Sequence, residues 1–183
     1  IIRDVALSVA GVRTDRIGGA GVHPPQPDGV MTLGQVQRQW RADDGPDRFR
    51  RGMYTFYWRA TPHPALAVFD SPDAFSTCTR RIRSNTPIQA LTLLNDPAFY
   101  ELSVKFGERL QWLGVDSDAE RLCYGFRCCT AREPDVQELE RLQTFLEEQR
   151  RMTSLNDSQE VESHLWFSVA RVLLNLDETI TRE

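Results

Sequence analysis

Apolar residues recur at helical spacing near both ends of the chain and lose that spacing between them. Ile2, Val5, Ala6, Val9 and Ala10 mark one short amphipathic helix, and Gly11 stands where a left-handed helix stop belongs. In the second half, Phe99, Leu102, Phe106, Leu110 and Leu113 recur at mixed three- and four-residue spacing and end at Gly114. Three further helices are predicted, over 118–130, over 134–151 with Val136, Leu139, Leu142 and Leu146 inward, and over 158–176. Their short connections favour antiparallel neighbours in a bundle. Two helix starts are written locally. Thr86-Pro87-x-Gln89 combines a capping box with proline at the first helical position, and Asn95-Asp96-Pro97 stops that helix and caps the next.

The middle of the chain has no such period. Residues 13–29 carry four glycines and three prolines in TDRIGGAGVHPPQPDG, which favours an extended strap over the surface with His23 as an exposed loop histidine. Residues 30–40 fit either a short strand or a helix, and ADDGPD at 42–47 is a turn. RRGMYTFYWRA at 50–60 also fits both, since β-branched and aromatic content favours a strand while Met53, Phe56 and Tyr57 share a helical face. TPHP breaks the chain at Thr61 to Pro64, and ALAVFD is a short apolar run ending at Asp70 before a turn. The expected fold is mainly α: an antiparallel helical bundle with a long loop-rich, aromatic- and Arg-rich N-terminal half and room for one or two short strands. A single domain is expected over 1–183, with 1–97 irregular and 98–183 helical.

Composition narrows the function classes. With 183 residues, 40% hydrophobic and 26% charged, the chain is an ordinary globule able to bury roughly two thirds of its unfolded surface. No apolar run is long enough to span a bilayer. It opens directly on a periodic apolar pattern, IIRDVALSVAG, and so reads as a piece of a longer protein. The net charge of −4 conceals an Arg surplus in the first half, too small for a general nucleic-acid binder. Cys78, Cys123, Cys128 and Cys129 form no C-x-x-C pair and no zinc or haem spacing, which leaves them as buried thiols and predicts no metal site and no cofactor.

Candidate chemistry concentrates between Phe49 and Pro97. A hydrolase would use Asp70 or Asp96 as a carboxylate, His63 as a proton carrier, and Arg80, Arg81 and Arg83 to hold sulfate, uronate or phosphate. No nucleophile elbow, zinc-protease motif or P-loop supports that reading, and Asp96 as a helix cap with Asp70 in a turn is the plainer account. A binding module would present Tyr54, Tyr57 and Trp58 to sugar rings, with Arg59, Asn85, Gln89 and Asn95 reading hydroxyls. The same amides could equally satisfy irregular backbone. A third class is a docking surface anchored by Met53, Phe56, Trp58 and Phe69. His164 and Trp166 fit packing rather than a site.

At YTFYWRATPHPALAVFD, CTRRIRSNTPIQALTLLNDP and the terminal LLNLDETITRE, the chain resembles the C-terminal, PSD-type domain of a large family of planctomycete proteins of unknown function. The resemblance implies a large exported protein of the periplasm or cell envelope, in which this domain follows a companion domain of unknown function. Any haem would then sit on a separate cytochrome-c-like N-terminal module. The implied partners are those missing N-terminal domains and extracellular polysaccharide, with no nucleic acid. It implies no catalytic residue, and CYGFRCCT at 123–130 departs from the family pattern.

Overall fold

The structure, a computed structural model, describes residues 1–34, 38–80, 84–153 and 158–181. It is mainly α. Eight α-helices lie among the described residues: α1 (Ile2–Val9), α2 (Pro64–Ala67), α3 (Pro87–Asn95), α4 (Pro97–Gln111), α5 (Asp118–Thr130), α6 (Val136–Met152), α7 (Ser158–Leu174) and α8 (Asp177–Ile180). The chain forms two compact units, one of Ile1–Ser8 with Val12–Tyr100, the other of Val9–Gly11 with Glu101–Glu183.

The second unit is built by apolar packing. Helices α5, α6 and α7 pack on one another, and α8 packs on α5 and α7. Leu102, Phe106 and Leu110, one helical turn apart, are buried along α4, as are Leu122, Phe126, Leu142, Leu146, Leu165, Trp166, Val169 and Leu173 on the helices that follow. Two glycines permit close approach. A Cβ on Gly107 would lie 2.7 Å from the backbone nitrogen of Phe167, and one on Gly125 would lie 2.8 Å from Leu173 Cδ1. Helix α6 starts two residues after Pro134, because Asp135 and Glu138 form a reciprocal capping box there. Helix α7 stops at Leu174, short of 176, and Asp177 opens the short α8, an element the apolar spacing did not announce. Arg132 ties that helix back, forking onto Glu138 at 2.7 Å and Glu178 at 2.7 Å.

The first unit has little regular structure. No strand occurs among the described residues; its only strand-like pairings there are two isolated parallel bridges, Thr14 with Arg50 and Val22 with Thr55. Residues 50–60 are therefore neither of the two expected elements. A short 3₁₀ turn at Gly52–Tyr54 separates two single-residue bridges, so the backbone never runs straight enough to extend a ladder. Similar 3₁₀ turns occupy Val30–Leu33 and Gly45–Phe49, while residues 35–37 lie outside the described residues. The apolar run after TPHP coils into α2, because Pro64 sits at its first turn and His63 caps it. The two helix starts form as written: Thr86 and Gln89 make both arms of the capping box on α3, and Asp96 Oδ1 accepts from Ala98 N at 2.9 Å at the start of α4. Gly11 ends α1 at φ +75°.

Candidate functional site

The candidate residues lie in the first unit, where charged side chains take over the role that secondary structure plays elsewhere. Arg50 is 1% exposed. Its guanidinium donates to Ala20 O at 3.0 Å, Arg16 O at 3.2 Å and Gly18 O, and its plane lies 3.8 Å from the Tyr54 ring centre. Tyr54 in turn accepts from Gly18 N at 3.1 Å through its hydroxyl. One arginine and one tyrosine thus fold the glycine-rich turn of the strap onto residues 50–54. Asp4 performs a matching task at the next turn, accepting from Gly52 N at 2.5 Å, and Arg3 donates to Arg48 O at 2.9 Å.

Beside this clamp runs a continuous series of rings. Arg38 stacks on Trp58 at 4.0 Å, Trp58 meets Phe56 at 5.1 Å, and Phe56 lies parallel to His23 at 5.0 Å. His23 meets the edge of Trp40 at 4.7 Å, and Trp40 lies 5.5 Å from His63. His23 is therefore half-buried, not the exposed loop histidine expected; the strap lays it between the face of Phe56 and an edge contact with Trp40, with Nδ1 3.7 Å from Asp43 Oδ2. Its neighbours come from residues 17 and 33 positions away, so no local motif points to them. Trp40, Asp43, Arg38 and Arg50 belong to this region and were missed for the same reason.

His63 is buried, 1% exposed, and both ring nitrogens have partners. Nδ1 accepts from Ala65 N at 3.2 Å, so Nε2 carries the hydrogen and faces Pro25 O at 3.0 Å. Burial, with the Arg3 charge adding to it, pulls its pKa down to about 4. A neutral imidazole with no lone pair to spare cannot carry a substrate proton, so the chemistry here is capping and tethering. Asp96 is also buried, and burial raises its pKa; it caps α4 and feels the Arg3 charge.

Asp70 sits elsewhere, at a left-handed φ of 55°, and accepts from Ser84 N at 2.8 Å and Ser84 Oγ at 2.8 Å. Gln89 completes this knot, donating to Ser84 Oγ at 3.0 Å and Val68 O at 2.9 Å. His63 is held by Ala65 and Pro25, and Asp70 by Ser84. Arg59 lies over the exposed Phe75 at 4.6 Å, and Tyr57 Oη reaches Pro72 O at 3.4 Å. Asp73 holds the turn at 73–76, and the Phe75 N–H it accepts keeps its carboxyl below the usual range. Arg80 and Asn85 are exposed, and Arg81 and Arg83 lie outside the described residues.

Of the expected docking anchors, Met53 is exposed, Phe56, Trp58 and Phe69 are half-buried, and Phe69 packs edge-on against Phe99 at 5.8 Å. The cysteines are not uniformly buried: Cys78 is exposed, Cys123 and Cys128 are half-buried, and only Cys129 is enclosed. Burial pushes the Cys129 thiol up to about 12. Among the described residues no cluster of His, Cys, Asp and Glu could hold a metal ion, and no helix is long and apolar enough to cross a membrane.

The family model for PSD1, a protein of unknown function (DUF1553), matches residues 1–146. The chain belongs to this family. The PSD1 match spans the whole first unit, with its arginine clamp and ring series, and reaches Leu146 in α6. No curated protein and no solved structure matches the chain. PSD1 membership thus places the chain among proteins of unknown function, and functional argument rests on its own side chains.

Proposed function

We propose that this PSD1 chain is a non-catalytic module of an exported, multi-domain cell-envelope protein, and that it binds extracellular polysaccharide along the edge formed by Tyr57, Trp58, Arg59 and Phe75. The observation that carries the reading is the pairing of guanidinium groups with half-exposed or exposed rings at the adjacent residues Trp58 and Arg59. Arg38 lies on Trp58 and Arg59 on Phe75, while Tyr57 reaches toward Pro72. Flat rings supply apolar faces for sugars, and guanidinium forks supply donors for hydroxyl or acidic substituents. A hydrolase reading finds less support, because His63 has both nitrogens occupied and Asp70 is engaged by Ser84. Arg80 and Asn85, both exposed, could extend the edge; Arg81 and Arg83 are candidates on sequence alone.

The test is a binding screen of the full chain against neutral, uronate-rich and sulfated polysaccharides, repeated with Trp58→Ala and Arg59→Ala. Binding to at least one class, weakened about tenfold or more by either substitution, supports the module. Absence of binding to every class overturns it.

A further inference from the structure

The strap segment from Val22 to Pro25 is fastened along its length by contacts of different chemistry. Backbone bonds join Val22 N to Tyr54 O at 2.8 Å and Phe56 N to Val22 O at 2.7 Å. His23 N donates to Asp43 Oδ2 at 2.6 Å, Asp43 N donates to His23 O at 2.9 Å, and Trp40 Nε1 donates to Pro24 O at 2.8 Å. The last fastening is His63 Nε2 to Pro25 O. Beneath the strap lie Phe56 and Trp40, which His23 covers.

The His63 fastening reverses its chemistry on gaining one proton. Nδ1 faces Ala65 N–H, which is a donor, and protonation would set two donors against each other at 3.2 Å. The imidazolium would also be enclosed, 1% exposed, with the Arg3 guanidinium acting on it from α1. The other titratable groups nearby act less directly. Asp96 interacts with Arg3, while His23 and Asp43 lie across Trp40 with His23 Nδ1 3.7 Å from Asp43 Oδ2.

We propose that His63 is an acid-operated latch whose protonation detaches the Val22–Pro25 strap, uncaps α2 and bares Trp40 and Phe56. The low pKa of His63 places the release well below neutral pH, centred on about pH 4. The latch does not depend on polysaccharide binding, and its test needs no ligand.

The experiment follows the His63 ring by NMR on the full chain while amide exchange, corrected for its intrinsic pH dependence, is measured over the same range. Protection of the Val22, Phe56 and Ala65 amides should fall about tenfold or more in step with His63 titration, while amides in α5 to α7 keep theirs. The His63→Asn variant retains a capping oxygen but cannot titrate, and should keep the strap protected at about pH 4. Titration of His63 near its ordinary value of about 6.5 with the strap still protected overturns the latch. So does equal loosening of His63→Asn over the same range, since that variant has no imidazole to protonate. Should that variant not fold, the wild-type titration decides alone.

Discussion

The two units answer the same physical demand in opposite ways. A buried peptide group needs a hydrogen-bond partner, and in the second unit helices α5, α6 and α7 supply those partners internally. Its interior can then be almost wholly apolar, with Ser103 and Thr179 its only buried polar side chains among the described residues. The first unit has short helices, 3₁₀ turns and two single bridges, and it buries Arg3, Arg50, Thr55, His63, Gln89 and Asp96. Four of these six are ionisable, and Arg3, Arg50, His63 and Gln89 bond main-chain carbonyls directly. Polarity in the interior of the first unit is thus a consequence of its irregular backbone, and the Arg-rich composition of the first half is partly structural.

The contrast can be broken most sharply by truncating one side chain in each unit. Trp166→Ala should destabilise the second unit by about 4 kcal/mol through the cavity it leaves, and loosen amides of α5 to α7 first. Arg50→Met should cost about 3 kcal/mol, because three carbonyls lose a charged donor, and should loosen residues 14–22 and 50–56 while sparing those helices. Denaturant unfolding with residue-resolved hydrogen exchange reads both; identical exchange patterns for the two variants would remove the distinction.

Acid should act on the first unit before the second, where Arg132 holds the Glu138 carboxyl down to about 2 and the loss begins only below about pH 4.5. The folded-state pKa of His63 lies below its unfolded value of 6.5, so its contribution to stability is complete above pH 6.5 and is lost as pH falls through about 4. The loss is about 3 kcal/mol. Asp96 has the opposite sign: its raised pKa means that the folded state takes up a proton more readily, which offsets part of the loss at the acid end. Stability of wild type against His63→Asn as a function of pH isolates the histidine, and parallel curves would refute its role.

Smaller effects sharpen the picture further. Gly107→Ala should cost about 2 kcal/mol, since a methyl at 2.7 Å from the Phe167 backbone outweighs the better helix propensity of alanine. Thr86→Ala should cost about 1 kcal/mol by removing one arm of the α3 capping box, measured as a shift in the unfolding midpoint.

What could be read from the sequence follows the same division. Thr86-Pro87-x-Gln89, Asp96-Pro97 and the apolar spacing of α4 to α7 are local signals, and each helix forms where its signal lies. Local signals failed where the determining partner was distant. Arg50 finds its carbonyls 30 to 34 residues away, and His63 finds Pro25 at 38. The residue types were conspicuous there, but arginine beside tyrosine reads alike for a ligand fork and for a backbone clamp. Of the candidates for chemistry, His63 and Asp70 were visible as residues, whereas their engagement by Ala65, Pro25 and Ser84 required the folded chain.

The knot of Asp70, Ser84 and Gln89 bears on how this domain can diversify. It fastens together two points 14 residues apart in sequence, so the chain between them leaves and returns at a fixed place. With both ends anchored, lengthening the intervening segment adds only closure entropy, about 0.6 kcal/mol for each doubling. An insertion placed after the Asp73–Ser76 turn should therefore cost little beyond that closure entropy and leave the α3 capping box intact, read as a small shift in the unfolding midpoint.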